Sequence, residues 1–185
     1  MFQILICLIL ISGASFYHHS IYSNSYIHDL TRRGWSCSFR ESHCGIINQN
    51  RMPEKFSLFL NSELNNAFGF YLLNTASCSG GGARLVTPYF KVKNSSEVCL
   101  IIRVLVFGFG IEKFRLYQQD DHSKEIWNGK HKFTDQIQQF SIPILLHTNK
   151  PTRFFFEVQF TSYSIRSGFV LIDSFEFNSN RCKIY

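Results

Sequence analysis

The chain has 185 residues, 45% of them hydrophobic and only 17% charged, which is enough for one domain with a sizeable core. The formal net charge is +6. The bases are scattered (Arg32-Arg33, Lys91, Lys93, Lys124, Lys130, Lys132), and no basic stripe interleaved with stacking aromatics marks a nucleic-acid partner. Aromatic residues reach 16%, and the apolar runs are dominated by aromatic and β-branched types, which favours strands over helices.

Residues Phe2 to Ile11 are almost wholly apolar, and Ser12-Gly13-Ala14 follows with the small residues a signal peptidase reads. Residues 1–14 are therefore expected to be a signal peptide, although no Lys or Arg precedes the apolar run. The run is shorter than the about 20 apolar residues a membrane helix needs. The expected product is secreted, extracellular and not membrane-spanning. Residues 15–34 are rich in Tyr, Ser, His and Asn and read as an irregular extension, with a short strand near Ser25-Tyr26-Ile27 as the alternative.

From Trp35 the pattern changes. Short strands are expected at Trp35–Phe39 and Phe56–Leu60, with a polar loop over Asn48–Glu54 between them. Gly69–Thr75 and Ala83–Val92 follow, the second interrupted at Pro88 and separated from the first by Ser79–Gly82, an exposed glycine loop. Val98–Phe107 is a nearly continuous apolar run, as in a central strand covered on both faces. Lys113–Gln119 alternates, Asp120-Asp121-His122 reads as a turn, Ile126-Trp127 is a short strand, and Asn128-Gly129 is a hairpin-type turn signal. Gln138–Leu146 carries Pro143, which suggests an edge strand or a bulge. Arg153–Ser162 places Phe154, Phe156, Val158 and Phe160 on one face and Glu157 and Gln159 on the other. Gly168–Phe177 is the last strand. Many strands at regular spacing, with no sustained helical period, predict an all-β sandwich or barrel.

Cysteine usage agrees with export. Cys37, Cys44, Cys78, Cys99 and Cys182 remain after the leader, which allows two disulfides and one odd thiol. None of the pairs has the C-x-x-C spacing of zinc modules. Asn94-Ser95-Ser96 is an acceptor sequon, so Asn94 is a candidate for N-glycosylation.

The order of short segments from Trp35 to Cys182 resembles a MAM domain, the extracellular module named for meprins, the A5 antigen and the receptor tyrosine phosphatase mu. Cys37-Ser38-Phe39 and Cys44-Gly45 look like its opening C-x-F…C-G. Gly69-Phe70-Tyr71-Leu72 looks like its G-H-Y-hydrophobic strand, and Ala83-Arg84-Leu85-Val86-Thr87-Pro88 like its A-R-L-x-S-P. Cys99-Leu100 with Val104 and Gly108, Ile126-Trp127, Phe156-Glu157-Val158-Gln159-Phe160 and Gly168 to Asp173 continue the series, which Cys182 closes.

The resemblance implies a jelly-roll β-sandwich of two antiparallel sheets over residues 35–185. It also implies disulfides Cys37–Cys44 and Cys99–Cys182. Cys78 is then left over in the glycine loop, a candidate for an intermolecular disulfide. Members of the family often hold a cation through acidic residues. Here Arg40 follows Phe39, Ser57-Leu58 stands where a D-W pair would, Thr161 follows Phe160 and Ser174 follows Asp173. No metal site is expected, and Asp173 and Glu41 are the weak candidates that remain.

No catalytic residue emerges. The histidines form no H-E-x-x-H pattern, Cys78 has no general base identifiable by spacing, and the glycine loop lacks the Lys-Ser/Thr of a P-loop. No cofactor is expected. The leading expectation is a non-catalytic interaction module that binds an extracellular or membrane-bound protein, or a second copy of itself as a homodimer. The alternative is a glycan-binding jelly roll that uses Trp127, Tyr117 or Tyr163 as a stacking platform. Burial of Trp127 separates the two readings, and it is expected to be mostly core.

Overall fold

Alternation of more and less buried residues along the longer strands, broken by short buried runs, gives each sheet an apolar face, and the two faces close on each other. The computed structural model describes residues 27–31, 34–39, 43–60, 68–73, 81–108, 110–129, 134–161, 168–178 and 182. Its strands in chain order are β1 (Ile27–Asp29), β2 (Trp35–Cys37), β3 (Ile47–Asn48), β4 (Ser57–Leu60), β5 (Phe68–Leu73), β6 (Gly82–Val86), β7 (Tyr89–Lys91), β8 (Ser96–Phe107), β9 (Ile111–Gln119), β10 (Ser123–Asn128), β11 (Thr134–Leu146), β12 (Arg153–Phe160) and β13 (Phe169–Asn178).

The strands form a jelly-roll β-sandwich. One sheet has the order β10-β9-β12-β6-β3. The other has the order β11-β8-β13-β5-β4, with β2 also paired to β13. All pairings within these two sheets are antiparallel. Among the described residues no helix is long and apolar enough to cross a membrane.

The core is an aromatic seam between the sheets. Phe154 and Phe156 of β12 meet Phe177 and Phe175 of β13, with ring centroids 5.0 and 4.8 Å apart. Phe90 joins at 4.6 Å from Phe177, and Trp35 lies edge-on to Phe90 at 5.1 Å. All but Trp35 are fully buried. Each such ring contributes about 1.5–3 kcal/mol by leaving water, and edge-to-face packing adds to that. Two disulfides tie the chain across this core, joining Cys37 to Cys44 and Cys99 to Cys182.

The structure corrects or refines the expected elements in four places. A strand lies before Trp35 within the expected irregular extension: β1 pairs in parallel with β7, and Leu30 is buried. The Ala83–Val92 run, with its expected interruption at Pro88, is two strands, β6 and β7, which pair in different sheets. Proline has no N–H to donate to a ladder, and beside it Phe154 N donates to the buried Thr87 hydroxyl. Asn128-Gly129 is not a hairpin turn: β10 pairs with β9 through Asp120-Asp121-His122, while β11, the next strand, lies in the other sheet. Two residues of the expected exposed glycine loop, Gly81 and Gly82, are buried. Gly82 begins β6, and a Cβ there would stand 2.6 Å from the carbonyl oxygen of Val158, so the glycine permits the strand approach. Pro143 does lie on an edge strand, β11.

Candidate functional site

The outward side chains of the five-stranded sheet form an unusual surface. On β12 these are Arg153, Phe155, Glu157 and Gln159, alternating with the buried Phe154, Phe156, Val158 and Phe160. Strand register sets their neighbours. Phe155 stands between Val86 of β6 and Tyr117 of β9, and Ile47 of β3 lies beyond Val86. Glu157 stands between Arg84 and Arg115, and Arg153 opposite Gln119. The result is an apolar row, Tyr117–Phe155–Val86–Ile47, bordered by arginines.

Those arginines are differently committed. The Arg84 guanidinium donates to Glu157 through Nε at 2.9 Å and through a terminal nitrogen, and its other terminal nitrogen reaches Gln49 Oε1 at 3.0 Å. Arg115 donates to the Tyr117 hydroxyl at 2.8 Å, to Gln159 Oε1 at 3.3 Å and to Glu125 at 3.4 Å. Burial works to lower the Arg115 pKa, but Tyr117, Glu125 and Glu157 outweigh it and hold the value above that of a free guanidinium. Arg153 donates only its Nε, to Gln119 Oε1 at 2.7 Å, and has no ion pair among the described residues. Its guanidinium lies 5.0 Å from the Tyr89 ring and 5.1 Å from the Phe155 ring. Arg84 flanks Phe155 as well, at 5.4 Å, and so Phe155 is only 5% exposed on an outward face.

Between Arg84 and Arg153 the surface sinks into a groove of about 320 Å³. Its floor is Phe155, Val86 and Ile47, and its walls carry Asn48, Gln49, Asn50, Gln119 and Ser123. The wall loop is stapled by Asn48, whose side chain donates to Phe56 O and accepts from Phe56 N, both at 2.8 Å. Lys55 Nζ closes the same loop by donating to Gln49 O and Met52 O. An apolar floor with amides, a hydroxyl and guanidinium groups above it can hold a flat, polyhydroxylated ligand.

The residues singled out from sequence fall elsewhere. Trp127 packs against the core: it faces Leu116 across the β9–β10 ladder and meets the rings of Phe114 (5.5 Å) and Phe140 (4.8 Å). Tyr117 is on the outward face beside the groove, its hydroxyl held by Arg115. Asn94 is exposed in the turn between β7 and β8, where Ser95 N donates to Thr148 Oγ1 at 2.8 Å. Asp173 is the extra residue of a bulge between Ile172 and Ser174, and its carboxylate pairs with Arg103 at 3.1 Å. Among the described residues no three His, Cys, Asp or Glu side chains gather as a metal site. Cys78, Glu41, Arg40 and Tyr163 lie outside the described residues.

Sequence reasoning missed the groove residues Arg153, Gln119, Asn50 and Ser123. The alternation of β9 and β12 was readable, but nothing local said that the two strands are neighbours.

The architecture is a jelly-roll β-sandwich, and solved structures share that fold. A CBM4 domain superposes with a TM-score of 0.51 at 10% identity, over 77% of this chain and 99% of that one. The K1 cleaved adhesin domain of Lys-gingipain from Porphyromonas gingivalis W83 gives 0.54 at 12% identity, over 80% and 98%. The CBM22-1–GH10 modules of xylanase 10B from Clostridium thermocellum, solved with xylohexaose, give 0.50 at 13% identity, over 76% of this chain and 27% of that one. No family model and no curated protein matches the chain.

Proposed function

We propose that this is a secreted, non-catalytic carbohydrate-binding module whose binding site is the groove on the five-stranded sheet. The observation that carries the reading is the groove itself: an aromatic and aliphatic floor, Phe155, Val86 and Ile47, beneath a rim of amide, hydroxyl and guanidinium donors. Sugar rings have apolar faces and hydroxyl edges, and such a lining matches both. Likeness to carbohydrate-binding modules supports the fold on which such a groove sits, and the side chains support the ligand class. Trp127 packs against the core as expected, which counts against it as a stacking platform; the groove proposed instead lies over Phe155, with Tyr117 at its side.

The test is calorimetric titration of the mature protein with a panel of soluble neutral and acidic polysaccharides. Binding to at least one, abolished in a Ser123→Trp variant that fills the groove, is the expected result. A panel without any binder, or a variant that binds as well as the parent, refutes the reading.

The MAM-type interaction module remains a second proposal. Both disulfides that the resemblance implies are present, which favours kinship. Kinship of that sort bears on the scaffold, and the ligand is decided by the surface.

A further inference from the structure

We infer that the sugar taken by this groove carries a carboxylate, as in a uronic acid unit, and that Arg153 is the group that reads it. The inference rests on the carbohydrate reading of the same groove. It turns on how the three arginines of this face are spent. Arg84 is neutralised by Glu157 and tied to Gln49. Arg115 is tied to Tyr117, Gln159 and Glu125. Arg153 is fixed in place without being neutralised: Gln119 holds its Nε, and the rings of Tyr89 and Phe155 flank its plane.

Both terminal nitrogens of Arg153 are without a protein acceptor among the described residues. None of the groove's lining residues is acidic. A guanidinium fixed by stacking and by one amide, with its far edge uncommitted, is a preformed fork for two coplanar oxygens. Little side-chain freedom is left to lose when a carboxylate docks, which favours binding. The neighbouring Gln119, Ser123 and Asn50 side chains supply the hydrogen-bond partners a pyranose needs around that carboxylate. A neutral sugar leaves the positive charge unanswered.

The experiment compares oligomers of hyaluronan, polygalacturonate and alginate with their carboxyl-reduced counterparts, by titration calorimetry in 0.15 M NaCl. At that ionic strength the general attraction of a polyanion to a +6 chain is largely screened. At least one uronate oligomer is expected to bind about tenfold or more tighter than its reduced form. Arg153→Gln should remove that difference while leaving the weak binding of the reduced form within about twofold, and Arg153→Lys should restore only part of it. Lys93→Gln makes the same change of charge away from the groove and should alter nothing. Melting curves establish that each variant is folded.

Equal binding of native and reduced oligomers overturns the carboxylate inference and leaves the carbohydrate reading standing. An equal loss in Lys93→Gln, or preference for dextran sulfate, overturns it too, since the first means general attraction of charge and the second a sulfate in place of a carboxylate. Absence of binding to every oligomer, reduced or not, overturns the carboxylate inference, and the wider polysaccharide panel then decides the carbohydrate reading.

Discussion

Arg84 and Glu157 stand directly opposite each other on β6 and β12, and their two-point contact forms one shoulder of the groove. Glu157 is 15% exposed and Arg84 28%, so the pair is partly withdrawn from water. Removing the carboxylate leaves a half-buried guanidinium stacked over Phe155 with only Gln49 to bond. Glu157→Gln keeps the volume and loses the charge. It should destabilise the domain by about 1–2 kcal/mol, less than a fully buried pair would cost. Chemical denaturation at pH 7 checks this, and an unchanged midpoint would mean that the pair is solvated.

How much of this surface could be read in advance depends on distance along the chain. The alternation of β9 and β12 was legible, and with it the buried set Phe154, Phe156, Val158 and Phe160. The turn at Asp120-Asp121-His122 was legible because Asx residues favour it, and Asp120 Oδ1 does accept from His122 N. The groove was not legible. Arg84 meets Glu157 across 73 positions, and Arg153 meets Gln119 across 34. Strand order decides such meetings, and no local pattern encodes it. Trp127 drew attention as a stacking residue because aromatics serve both roles, and the Leu116 register assigns it to the core.

The two disulfides should differ in worth. Cys37 and Cys44 are separated by 7 positions, Cys99 and Cys182 by 83. On the chain-entropy model these loops correspond to about 2.4 and 4.5 kcal/mol. Cys99→Ser should therefore lower the melting temperature more than Cys37→Ser. Both half-cystines are buried, so the loss of packing is similar in the two variants. Equal melting temperatures would mean that unfolded-state entropy is not what these bonds act on.

Stability should fall as the solution is acidified through the histidine range, and His28 should carry part of that loss. His28 lies on β1 against the rings of Trp35 and Phe90, at 5.8 and 5.7 Å. Burial there disfavours the imidazolium and holds the pKa below the ordinary 6.5. With a lower folded than unfolded pKa, the unfolded chain takes the proton first as pH falls. The contribution of His28 is therefore intact above pH 6.5 and is lost on descent from there toward the folded pKa. The carboxylates of Asp29 and Asp121 are held low by Thr31 and by Lys150, so their contributions are lost only further down, below 3.8. A melting series from pH 7.5 to 5.5 should slope downward for the parent and less steeply for His28→Phe. Parallel slopes would exonerate this residue.

Trp127 separates scaffold from site. Its ring fills the margin of the core between Phe114 and Phe140, and Gly129 closes over it, with a Cβ there standing 2.6 Å from the indole. Trp127→Ala removes a half-buried indole, and the expected loss is about 2–3 kcal/mol, at or below the range for fully buried aromatic truncations. Gly129→Ala should also destabilise, because the indole must shift to admit the methyl group. Neither residue lines the groove, so carbohydrate affinity at 15 °C, where both variants remain folded, should match the parent within about twofold. Tyr117→Ala should do the reverse. It strips the outward row beside Phe155 and frees Arg115 from its hydroxyl partner, weakening affinity with a smaller change in stability. If Trp127→Ala abolished binding while melting like the parent, the indole would be the platform and the binding face would lie elsewhere.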